Sequence, residues 1–206
     1  MKLSTTSKKE TLELAKVNNV SVGAHPGYPD LVGFGRRSIN CSTEEIIALV
    51  SYQIAAIDGV AKSLDVVLEY VKPHGALYND MMLSQDIRKA ILQALSSYHR
   101  PLKLMLQATL DIEQHRAEAK HFNIDILSEA FADRCYDDDG KLLSRAKDGA
   151  VHSKEKMLAQ VKQLKEQGCV TTISGNILPL KVDSLCVHGD NIEGVQAISA
   201  IRELIG

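Results

Sequence analysis

Val66-Val67-Leu68-Glu69-Tyr70-Val71-Lys72-Pro73-His74-Gly75 decides the fold. Its first six residues are β-branched, aliphatic or aromatic apart from Glu69, a composition that suits a buried strand, and Pro73 and Gly75 punctuate its end. The segment before it reads as a long helix. Ser42 and Glu45 stand in capping-box spacing at its start, and Ile46, Val50, Ile54, Ile57 and Leu64 follow near helical spacing.

Outward from this helix and strand the same unit recurs. A helix near 84–98 precedes a strand at 102–106, and a helix near 111–121 precedes a strand at 124–127. Upstream, a helix over 7–17, with Ser7 and Glu10 in capping-box spacing, leads to a strand at 20–24. Downstream, a helix over 153–167 stops at Gly168, and two short strands within 170–182 turn at Ser174-Gly175-Asn176. A last strand at 184–187 feeds a final helix to Leu204, capped by Asp190 and Glu193. Alternating strands and helices predict an α/β class with a parallel sheet and right-handed crossovers. No linker-like stretch interrupts the 206 residues, so a single domain is expected over 1–206. The opening helix has no strand before it, which predicts an open sheet edge.

Composition excludes several function classes. With 24 basic and 26 acidic residues and no long run of either sign, the chain has no footprint for nucleic acid. No uncharged apolar stretch approaches the ~20 residues of a membrane span, and the first residues lack the apolar core of a secretion signal. Cys41, Cys135, Cys169 and Cys186 are far apart without a C-x-x-C pair, which fits reduced thiols and a cytoplasmic location. A small-molecule partner is expected.

Polar residues gather where strands end, the place where α/β folds assemble reaction sites. Three apolar runs end in histidine beside glycine: Gly23-Ala24-His25-Pro26-Gly27, Lys72-Pro73-His74-Gly75 and Val187-His188-Gly189. A fourth is followed by Glu129, Asp133 and Arg134. These four strand ends are expected to face one rim.

His25 either faces a site or bonds a neighbouring carbonyl. Gly33-Phe34-Gly35-Arg36-Arg37 sets two guanidiniums in flexible backbone, suited to clamping a carboxylate or phosphate, although it is no nucleotide fingerprint and paired arginines are often solvated surface. Lys72, His74, Tyr78 and Asn79 could supply an acid/base pair with hydrogen-bond donors, but Lys72 and His74 share a face only if extended geometry survives Pro73. Glu129, Asp133 and Arg134 read either as proton-transfer or cation-holding groups or as a structural ion pair. His188 is a better site candidate than Asp190, whose place suits a helix cap. His99, His115, His121 and His152 read as solvated surface.

Gly23-Ala24-His25-Pro26-Gly27-Tyr28-Pro29-Asp30, Gly33-Phe34-Gly35-Arg36-Arg37, Val71 to Asn79, Glu129 to Arg134 and Cys186-Val187-His188-Gly189-Asp190 together resemble the LamB/YcsF family, in the family's order and from about residue 8 onward. Its characterised members are A subunits of bacterial 5-oxoprolinase. The resemblance implies a (β/α) barrel of the glycoside hydrolase/deacetylase type with a site at the C-terminal ends of the strands. It also implies ATP-dependent opening of the 5-oxoproline lactam to L-glutamate, performed with partner subunits B and C, the A subunit serving the hydrolytic part.

The sequence departs from that pattern at its beginning, where the family's D-x-N-x-D-x-G-E and C-G-F-H-A-G-D motifs are not found. An incomplete, N-terminally truncated barrel is therefore expected, with any metal site that used those carboxylates incomplete as well. On this reading His25 and His74 are acid/base residues, Lys72 stabilises negative charge, Arg36 or Arg37 holds the substrate carboxylate, and Glu129 positions water or His188. Tyr78, Asn79 and Arg134 complete substrate binding. ATP is the expected cosubstrate, and a divalent cation of unassigned identity is compatible with the set. Two alternatives stand beside it: a metal-dependent amide hydrolase or deacetylase, and a non-catalytic binding subunit.

Overall fold

A computed structural model describes residues 5–145, 147–189 and 191–206. In chain order the elements are α1 (Thr5–Val17), β1 (Val22–Ala24), α2 (Thr43–Lys62), β2 (Leu68–Val71), α3 (Gly75–Leu83), α4 (Gln85–Ser96), β3 (Lys103–Gln107), α5 (Ile112–Lys120), β4 (Ile126–Phe131), α6 (Lys154–Gln167), β5 (Cys169–Thr171), β6 (Ile177–Pro179), β7 (Ser184–Cys186) and α7 (Ile192–Ile205). The chain forms two compact units, one of residues up to Leu106 with Arg116–Ile126, the other of Gln107–His115 with Leu127–Gly206.

In the first unit β1 runs parallel to β2, with Gly23 opposite Tyr70 and Ala24 opposite Val71, and β2 runs parallel to β3. Parallel neighbours require a crossover, and α2 supplies it between β1 and β2. The Ser42 cap behaves as its spacing predicts: the Glu45 N–H donates to the Ser42 hydroxyl (3.2 Å) and the Ser42 N–H donates to the Glu45 carboxylate (2.7 Å). Ile46, Val50, Ile54 and Ala61 form its buried stripe, which packs on α4, where Ile91, Leu92 and Leu95 are also buried. Each of these isoleucine, valine and leucine side chains contributes about 1.5–3 kcal/mol by leaving water. Asp58 on α2 accepts from the Tyr98 hydroxyl (2.7 Å) and from Arg100, fastening the turn after α4.

In the second unit β4 runs parallel to β7, with Glu129 opposite Ser184 and Phe131 opposite Cys186, while β5 and β6 form the expected antiparallel hairpin. α6 ends where predicted, Gly168 taking a left-handed φ of 66° and donating to the Leu164 carbonyl. α6 and α7 pack together, burying Ala132, Val161, Ala197 and Ile201 in one cluster.

Four local expectations are corrected. α1 already includes Thr5, so Ser7 lies inside the helix rather than capping it, and its carbonyl accepts from the Thr11 hydroxyl at 2.7 Å. Residues 75–83 form α3, a helix the strand-end reading passed over; Ala76, Leu77, Tyr78 and Met81 are its buried residues. β4 extends to Phe131, so Glu129 lies within the strand rather than beyond it. Ser128 is tolerated in this strand because its single hydroxyl proton has acceptors in reach at Asp183 (2.8 Å) and the Lys181 carbonyl (2.9 Å), while its N–H donates to Asp183 (2.9 Å). Finally, α7 is capped by Asn191, whose side chain accepts from the Gly194 N–H; Asp190, the expected cap, lies outside the described residues.

Candidate active site

β1 and β2 continue their pairing beyond the regular strands. The Lys72 N–H donates to the Ala24 carbonyl (2.9 Å) and the His74 N–H donates to the Pro26 carbonyl (2.7 Å). Extended geometry therefore survives Pro73: Lys72 and His74 occupy the same phase of the pleat, and proline falls at the position from which β1 needs no N–H. The continued ladder brings the rings of His25 and His74 together. His74 Nδ1 lies 2.9 Å from His25 Nε2, His25 Nδ1 lies 2.6 Å from the Lys72 carbonyl, and His74 Nε2 lies 2.7 Å from the Phe34 carbonyl.

The loop 25–40 is braced from several sides. Gln53 of α2 clamps Gly27, accepting from its N–H (3.1 Å) and donating to its carbonyl (2.8 Å). Asp80 of α3 accepts from the hydroxyls of Tyr28 (2.9 Å) and Ser38 (3.0 Å), one near each end of the loop. Burial and then the Asp80 bond push the Tyr28 phenol far above its ordinary value, so it stays a donor. Asp30 accepts from Arg37 Nε (3.0 Å) and again from Arg37 Nη2. The Arg37 hydrogen bond, which outweighs the opposing effect of desolvation, holds the Asp30 carboxyl down at about 2.

Phe34 and Gly35 both take left-handed backbone, φ 56° and 68°, at the point where the Phe34 carbonyl meets His74. Such a conformation is costly for a non-glycine residue and persists where its surroundings impose it. The Gly35 carbonyl then accepts from the Ala76 N–H (2.9 Å), and a methyl group at Gly75 would lie 2.4 Å from that same oxygen. The Phe34 ring meets His74 edge-on at 5.1 Å, and the Arg36 guanidinium lies over the Phe34 ring at 5.7 Å.

The first unit thus gathers His25, His74 and the Lys72 backbone, with the Lys72 ammonium 5.9 Å from the Tyr78 ring centre. Arg36 joins them through Phe34. Arg37 is engaged by Asp30, and Asn79 is exposed on α3.

In the second unit His188, just beyond β7, places Nδ1 3.0 Å from both oxygens of Asp133 and stacks on Phe131 at 5.7 Å. Asp133 is 1% exposed. Desolvation is the largest influence on its carboxyl and raises it, yet the hydrogen bond and charge of His188 together with Asn191 outweigh burial and leave it below its ordinary value. An ionised Asp133 makes Nδ1 the protonated nitrogen of His188 and leaves Nε2 as the basic one. Glu129 is buried in β4. Arg134 turns inward, donating to the carbonyls of Leu143 and Ala150, and so ties down the segment after β4. Gln160 of α6 supports the same segment, donating to the carbonyls of Phe131 (2.8 Å) and Arg134 (2.9 Å) and facing His152 Nε2 at 3.2 Å. His152, expected on the surface, is therefore half-buried and engaged by Gln160.

Gln53, Asp80 and Gln160 escaped sequence reasoning. Gln53 and Gln160 each sit at helical spacing within a buried stripe, beside Val50 and Ile54 or Met157 and Val161, and a polar residue in such a stripe is the signal that could have found them. Phe34 carried a signal as well, its two flanking glycines.

Among the described residues no group of three or more His, Cys, Asp or Glu side chains is arranged to hold a metal ion. No helix of the described residues is long and apolar enough to cross a membrane.

Comparison with known proteins agrees with these motifs. The chain is 44% identical over 195 residues to the 5-oxoprolinase A subunit of Vibrio campbellii, covering 94% of this chain and 77% of that protein. It is 45% identical over 198 residues to the second 5-oxoprolinase A subunit of Pseudomonas putida, covering 96% and 77%. Among solved structures, a lactam utilization protein from Thermus thermophilus superposes with a TM-score of 0.88 at 34% identity, over 97% of this chain and 80% of that one. The LamB/YcsF family profile matches residues 5–206, and the chain belongs to that family.

Proposed function

We propose that this protein is the A subunit of an ATP-dependent 5-oxoprolinase and takes part in the hydrolytic opening of 5-oxo-L-proline to L-glutamate. The observation that carries the reading is the His25–His74 pair, two imidazoles in contact at the ends of β1 and β2, in a chain 44% identical to a 5-oxoprolinase A subunit.

Opening a lactam needs negative charge stabilised on the carbonyl oxygen, an activated water, and a proton for the departing nitrogen. In this proposal His25 and His74 exchange protons with the substrate, the Lys72 ammonium faces developing negative charge, and the Arg36 guanidinium binds the substrate carboxylate. Tyr78 and Asn79 offer further hydrogen bonds. His188, oriented by Asp133, is the second base, and Glu129 is the acidic group assigned with it. Arg37 and Arg134 hold their own segments through Asp30 and through the Leu143 and Ala150 carbonyls.

ATP hydrolysis is assigned to the assembly with subunits B and C, and no step is routed through a metal ion. The (β/α)-barrel class of the glycoside hydrolase/deacetylase type is carried in the same proposal, supported by the strand and helix succession.

The test is an ATP-coupled assay of glutamate formation from 5-oxoproline with subunits B and C present. His74→Ala is expected to lower turnover by at least about 100-fold, in the range of a lost acid/base group. Unchanged turnover in a folded variant would overturn the assignment.

A further inference from the structure

The His25 and His74 rings lie in a chain of three short contacts with a carbonyl oxygen at each end. Lys72 O faces His25 Nδ1 at 2.6 Å, His25 Nε2 faces His74 Nδ1 at 2.9 Å, and His74 Nε2 faces Phe34 O at 2.7 Å. A carbonyl oxygen only accepts, so each terminal nitrogen must carry a proton. The contact between the rings needs one more, on one nitrogen or the other. Three hydrogen bonds therefore require three protons on four nitrogens, whereas two neutral imidazoles bring only two.

From this count we propose that His25 and His74 form one proton-holding unit, with a single excess proton shared between the rings and a net positive charge. The two ends are fixed by backbone rather than by mobile side chains. Lys72 O is held because the N–H groups on either side of its peptide, of Lys72 and His74, are bonded to the Ala24 and Pro26 carbonyls, and Phe34 O is aimed by the left-handed backbone of Phe34 and Gly35. A methyl group on Gly35 would lie 2.9 Å from His74 Cδ2, so this approach depends on the missing side chain. Charged and titratable groups on the packed elements include Lys72 beyond β2, Tyr70 of β2 against Gly23, Arg36 and the Arg37–Asp30 pair on the loop, Tyr28 bonded to Asp80 with Cys41 near it, and Tyr78 of α3. α2 reaches the loop through neutral Gln53. Carbonyl dipoles at both ends of the ring pair favour the extra proton there.

The use of that proton rests on the proposed function. When water attacks the lactam carbonyl and the C–N bond breaks, its electron pair stays on nitrogen and takes the excess proton. The pair is left neutral with two protons, and the proton released by the attacking water restores the third. His25, the exposed ring of the two, is the end at which the chain opens during this exchange.

The test is nitrogen NMR of this 206-residue chain labelled with 15N-histidine, at pH 7.5, without substrate, ATP or partner subunits. At that pH a lone histidine of ordinary affinity is about nine-tenths neutral. The expected result is three protonated nitrogens across the two rings and a scalar coupling between His74 Nδ1 and His25 Nε2. One protonated and one bare nitrogen on each ring would overturn the proposal. In His25→Ala, His74 is expected to become a neutral ring protonated at Nε2; a His74 that stayed doubly protonated would show that the proton is not shared. Because the measurement involves no turnover, its failure leaves the 5-oxoprolinase assignment standing, and failure of the turnover assay leaves the proton count standing.

Discussion

Gly75→Ala should damage both stability and activity, because it strikes the point where the loop 25–40 is locked to α3. Gly75 has φ 58°, and an added Cβ would lie 2.4 Å from the Gly35 carbonyl oxygen and 3.0 Å from its carbon, both of them backbone. Placing alanine in left-handed backbone costs about 1–2 kcal/mol. The crowding forces the loop back and breaks the 2.9 Å bond from the Ala76 N–H to Gly35, a further ~1 kcal/mol. Residual overpacking adds about 1–3 kcal/mol. The combined loss is about 3–6 kcal/mol.

Gly175→Ala isolates the conformational part. Its φ is 85° and nothing lies within 4 Å of an added Cβ, so only the left-handed cost of about 1–2 kcal/mol remains. Urea unfolding followed by far-ultraviolet circular dichroism compares the two variants; the chain has no tryptophan to report by fluorescence. Since the Phe34 carbonyl orients His74, Gly75→Ala should also lower turnover in the proposed 5-oxoprolinase assay by about 100-fold, the effect of a displacement of roughly 1 Å. Gly175→Ala should leave turnover unchanged. Equal stability losses in the two variants would refute the close-approach argument.

Three further outcomes follow from the charged and buried groups. Asp30 is depressed to about 2, so the stabilisation it gives the loop is present above the ordinary carboxylate value of about 4 and is lost as pH falls from there through about 2; proteolysis of the loop by an acid-active protease should rise across that window, and Arg37→Ala should flatten the response, whereas an unaltered response would remove the pair from its bracing role. His152 is lowered by burial, so acid protonates it in the unfolded chain first: stability should decline as pH falls through about 6.5, and His152→Gln should abolish that part of the pH dependence in thermal melts. Gln160→Leu leaves the Phe131 and Arg134 carbonyls without their donor in the interior, so urea denaturation should show a loss of about 2–4 kcal/mol, and a loss below about 0.5 kcal/mol would contradict the clamp.

The alternation of strand and helix, the Ser42–Glu45 cap, the Gly168 stop and the hairpin turn at Gly175 were legible in the sequence. They rest on local rules: side-chain period, cap geometry and the backbone freedom of glycine. The histidines were legible too, because polar residues at the ends of apolar runs stand out against their surroundings. What those histidines touch was not. His25 and His74 lie 49 residues apart, and their meeting at 2.9 Å depends on a parallel register carried past Pro73. The two adjacent arginines could not be told apart in the sequence; only the fold gives Arg37 to Asp30 and lays Arg36 over Phe34. Likewise His152, a surface histidine by its sequence neighbours, becomes a half-buried partner once α6 brings Gln160 beside it. Sequence alone determined the elements and their motifs, since those obey interactions within a few residues. Tertiary structure decided the partners, since hydrogen bonds form between groups that folding, not chain order, makes adjacent.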